Sequence, residues 1–464
     1  MKQRLVPIFA LSALALAAAG AAFPAGISQE PKVALPQTPA GRNVAAYFEA
    51  FNAGEAAMKA FLAGHVAKES LIETPLETRL ERYRQMKEML GALEPTKVVE
   101  FRGSFVSVLA KTRSGPPVRM DFEFEPNEPF GLLGIRIEAM EEGDEGGPAE
   151  APKRDDGELV GAVKEYAEEL AKADEFSGVI LVAKAGKPLF EQAYGYQDRD
   201  KKALNRVDTK FNLGSINKSF TSRSIRQLVA KGKVGLEDPI GKFLPDYPNK
   251  DAAAKVTVRH LLEMSGGVGD FFNERYRVAA KERIRSLEDY LALFADKPLE
   301  FEPGSKRVYS NGGYIVLGLI VARASGQDYY DYVRDHIFKP AGMNDSLWIP
   351  KDADAPNRAL GYTRDGQTWA SNYETLPGRG SSAGGGYSTA HDLLKYVLAL
   401  EKGTLKATDE ESRGGMGIAG GAPGLNAILE WDPERGYVIV VLSNFGPPTA
   451  EKVGRKIRAW LPRD

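Results

Sequence analysis

The chain has 464 residues, well beyond the length of one common domain, so two domains joined by a linker are expected, and 43% apolar with 27% charged residues exclude a disordered or collagen-like chain. A formal net charge of -2, or -2 - 2 = -4 once Lys2 and Arg4 are removed, excludes the electrostatic footprint of a nucleic-acid-binding protein. The absence of cysteine excludes disulfides, thiol nucleophiles and thiolate metal sites, and His65, His260, His336 and His391 stand at no metal-ligand spacing, so neither a metal nor a cofactor is expected.

Residues 1–25 open with Lys2 and Arg4, run apolar from Leu5 to Ala22 and offer small residues such as Gly20, Ala22 and Ala25 for cleavage. This is the pattern of a secretory signal peptide, and it predicts export to a periplasm or medium. No later stretch is long and apolar enough to span a bilayer, so no transmembrane span is expected in the mature chain.

From about Arg42, the apolar positions Val44, Tyr47, Phe48, Phe51, Met58, Phe61 and Leu62 predict a helix, and residues 75–90 predict a second that stops at Gly91. Alternating runs at 96–101, 105–112, 118–125 and 132–138 predict four strands, broken by Gly103, Gly115-Pro116 and the proline-bearing stretch 126–129. Two helices followed by four strands make an α+β domain at residues 42–140. With the phrase at 47–54, this order resembles the NTF2-like cone fold, which can enclose a small ligand but in a two-domain secreted protein more often serves as a packing or dimerising module. Residues 141–157 are acidic, Gly- and Pro-bearing and almost without apolar side chains, and predict a linker.

Residues 158–464 predict a larger α+β domain. A helix at 159–173 precedes a hairpin at 178–194 turning at Ala185-Gly186, and a long helical middle follows. Strands at 425–431 and 437–444 and a helix at 449–461 end the chain. Strands at both ends with helices between them predict one antiparallel sheet, closed by pairing the first and last hairpins and covered by helices.

Ser215-Ile216-Asn217-Lys218 places a hydroxyl and an amine three residues apart on one face of a predicted helix near its N-terminus, where backbone N–H groups favour developing negative charge. A partly desolvated lysine can take the serine proton. On this motif alone a capping serine with a snorkelling lysine explains the residues equally well. Tyr309-Ser310-Asn311 adds a phenol able to pass a proton to a leaving group and an amide able to hold lysine and substrate in register. Gly380-Ser381-Ser382-Ala383-Gly384 matches a nucleophile elbow in letters only, because the residues before it are a polar loop and not an apolar strand.

These motifs, with Thr257-Val258-Arg259-His260-Leu261-Leu262, Phe301-Glu302-Pro303-Gly304, Pro340-Ala341-Gly342-Met343 and Gly421-Ala422-Pro423-Gly424, resemble the serine β-lactamase and penicillin-binding-protein-like superfamily. The branch is that of class C β-lactamases, esterases and D-stereospecific peptidases, over about residues 159–461. The resemblance implies Ser215 as acylated nucleophile, Lys218 as its activator, Tyr309 as general acid/base and Asn311 as a substrate-positioning group. It also implies the backbone N–H groups of Ser215 and Gly421 as oxyanion donors. It further implies a small-molecule or peptide substrate: a β-lactam, a D-amino-acid peptide or a small ester.

One departure bears on activity. The third motif of that superfamily, Lys-Thr-Gly or His-x-Gly, falls here on Ile418-Ala419-Gly420, and the segment before it is short, as if a strand had been deleted. A serine hydrolase of reduced activity is therefore expected. The alternative is a catalytically inactive relative that binds peptide or peptidoglycan fragments.

Overall fold

The computed structural model describes residue 33 and residues 35–462, apart from 68–69, 72–74, 103, 126–127, 141–154 and 367. The expected signal peptide and most of the expected linker lie outside the described residues. The chain divides into two compact units between Glu150 and Ala151.

In the first unit, helix α1 (Pro39–Ala53) begins with Thr38 accepting from the Gly41 N–H and with proline in its first turn, a favourable start because proline lacks the N–H that would go unpaired there. Gly54, at φ +114°, divides the single helix expected here into α1 and α2 (Glu55–His65), since that backbone angle cannot continue a helix. Helix α3 (Leu76–Leu90) ends at Gly91 in the left-handed region. Strands β1 (Leu93–Arg102), β2 (Phe105–Thr112), β3 (Val118–Phe124) and β4 (Leu132–Ala139) form an antiparallel meander in sequence order. Met120, Phe122 and Phe124 alternate inward from β3 and share one core with Tyr47, Phe48, Phe51 and Tyr83. The Tyr47 and Phe122 rings meet edge to face at 5.2 Å.

The second unit opens with helix α4 (Asp156–Lys172), whose start is fixed by a reciprocal cap between Asp155 and Glu158. Residues 156–157, the end of the expected linker, are therefore helical, because Asp155 accepts from the Glu158 N–H while Glu158 accepts from the Asp155 N–H. Strands β5 (Gly178–Lys184) and β6 (Lys187–Tyr194) form the first hairpin, turning at Ala185 and Gly186, both at positive φ. Helices α5 (Asn217–Ala230), α6 (Asn311–Ser325) and α7 (Ala390–Glu401) come from the middle of the unit. The short helix α8 (Asp409–Gly414) leads into strands β7 (Met416–Ala422), β8 (Leu425–Asp432) and β9 (Tyr437–Ser443), and helix α9 (Thr449–Trp460) follows.

The sheet order is β7-β8-β9-β5-β6, all antiparallel. The two ends of the unit meet where β9 pairs with β5, as the sequence pattern predicts. Both strands are apolar and buried almost throughout because helices cover both faces. Ile180, Val182, Ile439 and Val441 pack with α4 and α9, whereas Val179, Leu181, Val440 and Leu442 belong to the core shared with α5, α6 and α7. Strand β7 is the sheet's edge, and the short segment before it forms α8 and no strand. The fold is the α+β arrangement expected, with helices packed on an antiparallel sheet.

Candidate active site

The turn that carries Ser215 is held mostly by backbone. Residues 214–216 form a single 3₁₀ turn leading into α5. Gly214 adopts φ +49°, a left-handed angle that an L side chain resists. Its N–H donates to Asn212 Oδ1 (3.0 Å), and the neighbouring Leu213 N–H donates to the Gly386 carbonyl (2.8 Å). Edge strand β7 passes so close that a Cβ added to Gly420 would stand 2.0 Å from the Leu213 carbonyl oxygen and 2.7 Å from the Ser215 nitrogen. Asn426, fully buried on β8, fixes this part of β7 by donating to the Gly420 carbonyl (3.1 Å) and accepting from the Ala450 N–H at the start of α9 (2.6 Å).

Around this turn the structure brings together Ser215, Lys218, Tyr309 and Asn311. Lys218 Nζ lies 3.0 Å from Ser215 Oγ, 2.7 Å from Asn311 Oδ1 and 2.6 Å from the Ala383 carbonyl oxygen. The Tyr309 hydroxyl is 2.5 Å from Ser215 Oγ. Ser215 in the 3₁₀ turn and Lys218 at the start of α5 stand one turn apart, and Asn311 is the first residue of α6, where Ser310 caps the helix by accepting from the Gly313 N–H.

Burial lowers the Lys218 pKa to about 7, against the opposing pull of the Asp270 carboxylate. A neutral amine has two N–H donors and one lone pair. Asn311 Oδ1 and the Ala383 carbonyl can only accept, so they take both donors, and the lone pair is left facing Ser215 Oγ. In this neutral form the serine hydroxyl donates to Lys218 and Tyr309 donates to the serine oxygen; in the ammonium form Lys218 Nζ donates to Ser215 Oγ. Tyr309 is 55% exposed as a whole, yet desolvation of its ring and hydroxyl raises its pKa above the ordinary phenol value. It therefore holds its proton at neutral pH.

Two contributors were not legible in the sequence. Asp270 Oδ2 accepts from both the backbone N–H (2.7 Å) and the side-chain amide (2.9 Å) of Asn311, and Asp270 Oδ1 accepts from the Phe272 N–H (2.9 Å). This bracing presents the Asn311 oxygen to Lys218. The second is the Ala383 carbonyl, which comes from the glycine-rich loop 380–386. In that loop Ser382 is fully buried and donates to the Tyr314 carbonyl (2.7 Å), so it is a structural serine that braces the loop. His260 likewise caps its own short helix, its Nδ1 accepting from the Thr257 N–H at 3.3 Å.

Ile418 and Gly420 lie on the same face of β7 by strand alternation, and Ile418 is partly buried against the core. Ala419 points the other way and is exposed, and Gly421 pairs with Asn426 of β8. Among the described residues no cluster of three or more histidine or acidic side chains could hold a metal, and no helix is long and apolar enough to cross a membrane.

A family model described as Beta-lactamase matches residues 163–462. The chain is 29% identical to penicillin-binding protein 4* of Bacillus subtilis (strain 168) over 292 residues, which is 59% of this chain and 64% of that relative. It thus spans just under two thirds of that relative's length. A penicillin binding protein from Bacillus halodurans superposes with a TM-score of 0.57 at 29% identity, over 63% of this chain and 99% of the other. The D-amino acid amidase from Ochrobactrum anthropi SV3, in a complex with L-phenylalanine amide, superposes with a TM-score of 0.56 over 65% of this chain and 97% of the other. At 24% identity that likeness concerns the fold alone. With a family model covering most of its length, the chain belongs to the beta-lactamase family.

Proposed function

We propose that this protein is an exported serine hydrolase that forms an acyl-enzyme at Ser215 and cleaves an ester or amide. The observation that carries the reading is the Lys218 amine, held by two oxygens that can only accept and turned toward the Ser215 hydroxyl at 3.0 Å. In acylation the Ser215 Oγ–carbon bond forms while the serine proton moves to Lys218 Nζ. The negative charge on the carbonyl oxygen falls to the backbone N–H groups of Ser215 and Gly421 as donors. The bond to the leaving oxygen or nitrogen then breaks, and that atom takes a proton from the Tyr309 hydroxyl, which the Lys218 ammonium replenishes. Water attacks the acyl-enzyme by the reverse sequence, so the net change is addition of water across the ester or amide.

In this reading Ile418, standing where the third motif falls, lowers turnover of substrates that need a polar partner on β7. The first unit, a helix-covered four-stranded meander, serves as an NTF2-like packing or dimerising module, and the chain works in a periplasm or outside the cell.

Incubation with a fluorophosphonate and with a penicillin, followed by intact mass, tests the central step. A stoichiometric adduct on the wild type that Ser215→Ala abolishes is the expected result. Absence of an adduct, where a competent relative labels, would favour the second reading, a non-catalytic binder of peptide or peptidoglycan fragments, to which Ile418 lends support.

A further inference from the structure

The walls around Ser215 differ from its floor in a way that bears on substrate charge. Strand β7 reads Met416, Gly417, Ile418, Ala419, Gly420, Gly421, Ala422, without a charged or hydrogen-bonding side chain along its length. Gly420 faces the Ser215 nitrogen, so Ile418, two residues away on the same face, stands about 7 Å along the strand from the nucleophile turn. On the Asn311 side, Phe272 follows the bracing Asp270. It is 60% exposed and seated on Phe271 and Tyr276, with ring centroids 4.4 and 5.1 Å away. Tyr309 and Val308 are exposed beside the site as well.

The fixed charge next to this apolar surface is negative. Asp270 is the charged group that acts on both Lys218 and Tyr309, and Lys218 itself gives up its proton near neutrality. The basic residues that precede Tyr309 are turned to other partners: Arg307 pairs with Glu263 at 3.3 Å, and Lys306 lies over the Phe301 ring at 4.9 Å. A substrate carboxylate brought beside the scissile bond would meet an apolar strand and a neighbouring carboxylate, with neither Arg307 nor Lys306 free to replace its lost hydration.

We infer that the cleft selects uncharged, apolar esters or amides against those bearing a free carboxylate near the scissile bond, with Ile418 as a specificity-determining residue. This rests on the serine hydrolase reading above. It assigns the Ile418 position a change of preference where simple impairment would lower turnover of every substrate alike.

Matched substrate pairs test it on the full-length protein. Phenyl acetate against 3-acetoxybenzoate places a carboxylate on the leaving group, and p-nitrophenyl valerate against the p-nitrophenyl half-ester of glutarate places it on the acyl group. The expected kcat/KM is at least about tenfold higher for the neutral member of each pair, the ratio that 1.4 kcal/mol represents. Ile418→Lys should narrow at least one of the two ratios about tenfold, by raising the rate on the acid; Ile418→Leu should leave both unchanged. Equal handling of acid and neutral twins by the wild type, or ratios unmoved by Ile418→Lys, would overturn the inference while Ser215 still takes up a fluorophosphonate. Failure of that labelling together with absence of turnover on all four esters would instead remove the hydrolase reading, and this inference with it.

Discussion

Asp270 and Asn311, separated by 41 positions in the chain, are joined by two hydrogen bonds to one carboxylate oxygen, at 2.7 and 2.9 Å. The carboxylate takes the amide protons, so the amide oxygen is left for Lys218. Replacing Asp270 with Asn keeps the shape and removes the charge that raises the Lys218 pKa. The acid limb of the kcat/KM profile should then move to lower pH, with kcat reduced about 10- to 100-fold by the loosened alignment. A pH profile that keeps its wild-type midpoint would show that Asp270 serves the fold alone.

Lys218 itself sets a pH signature. Below about 7 it is protonated and has no lone pair for Ser215, so kcat/KM should rise with pH through that value. Lys218→Met should cost about 10²- to 10⁴-fold, the range for a lost general base. The same group affects stability with a definite sign. Its folded pKa near 7 lies below the ordinary 10.5, so between these values the unfolded chain binds more protons and stability gains from rising pH. Thermal melts of wild type and Lys218→Met across that window should differ in slope, with the steeper rise in the wild type.

Gly420 and Gly417 form a contrasting pair on one strand. An added methyl at Gly420 would collide with the Leu213 carbonyl and the Ser215 nitrogen, whereas one at Gly417 meets nothing within 4 Å. Gly420→Ala should displace either β7 or the nucleophile turn, at about 1–3 kcal/mol in stability and with loss of Ser215 labelling. Gly417→Ala should be indistinguishable from wild type in both assays.

Arg223 on α5, with a side chain 3% exposed, pairs with Glu411 of α8 through one guanidinium nitrogen at 2.8 and 2.9 Å from the two carboxylate oxygens. This clasp ties the helix that carries Lys218 and follows the Ser215 turn to the segment that delivers β7. Glu411→Ala leaves a buried cation unpaired and should cost about 3–5 kcal/mol, whereas Arg223→Met with Glu411→Leu should recover most of it, because desolvation of both charges is removed together. Denaturant melts of the single and double variants decide the point.

Much of this arrangement was legible in the sequence because it depends on local pattern. The alternation at 118–124, the hairpin at 178–194 with its turn at Ala185-Gly186 and the one-turn spacing of Ser215 and Lys218 all follow from short-range rules. The pairing of β9 with β5 followed from a topological one. What escaped was set by long-range folding or by single backbone angles. Asp270 sits in a loop whose sequence gives no hint of Asn311, and the Ala383 contact uses a carbonyl that every residue possesses. The Gly54 break interrupts an apolar period that continues on both sides of it. Residues 155–157 read as linker by composition, yet reciprocal capping between Asp155 and Glu158 begins α4.

The contact between β7 and the turn at 213–215 is made of main chain on both sides, through Gly214 and Gly420. The placement of the reactive oxygen is thereby insulated from the identity of the side chains that surround it. Substitutions along the flanking walls can accumulate without dislodging the chemistry, so a lineage built on this frame is free to exchange one clientele for another while leaving its reacting centre intact.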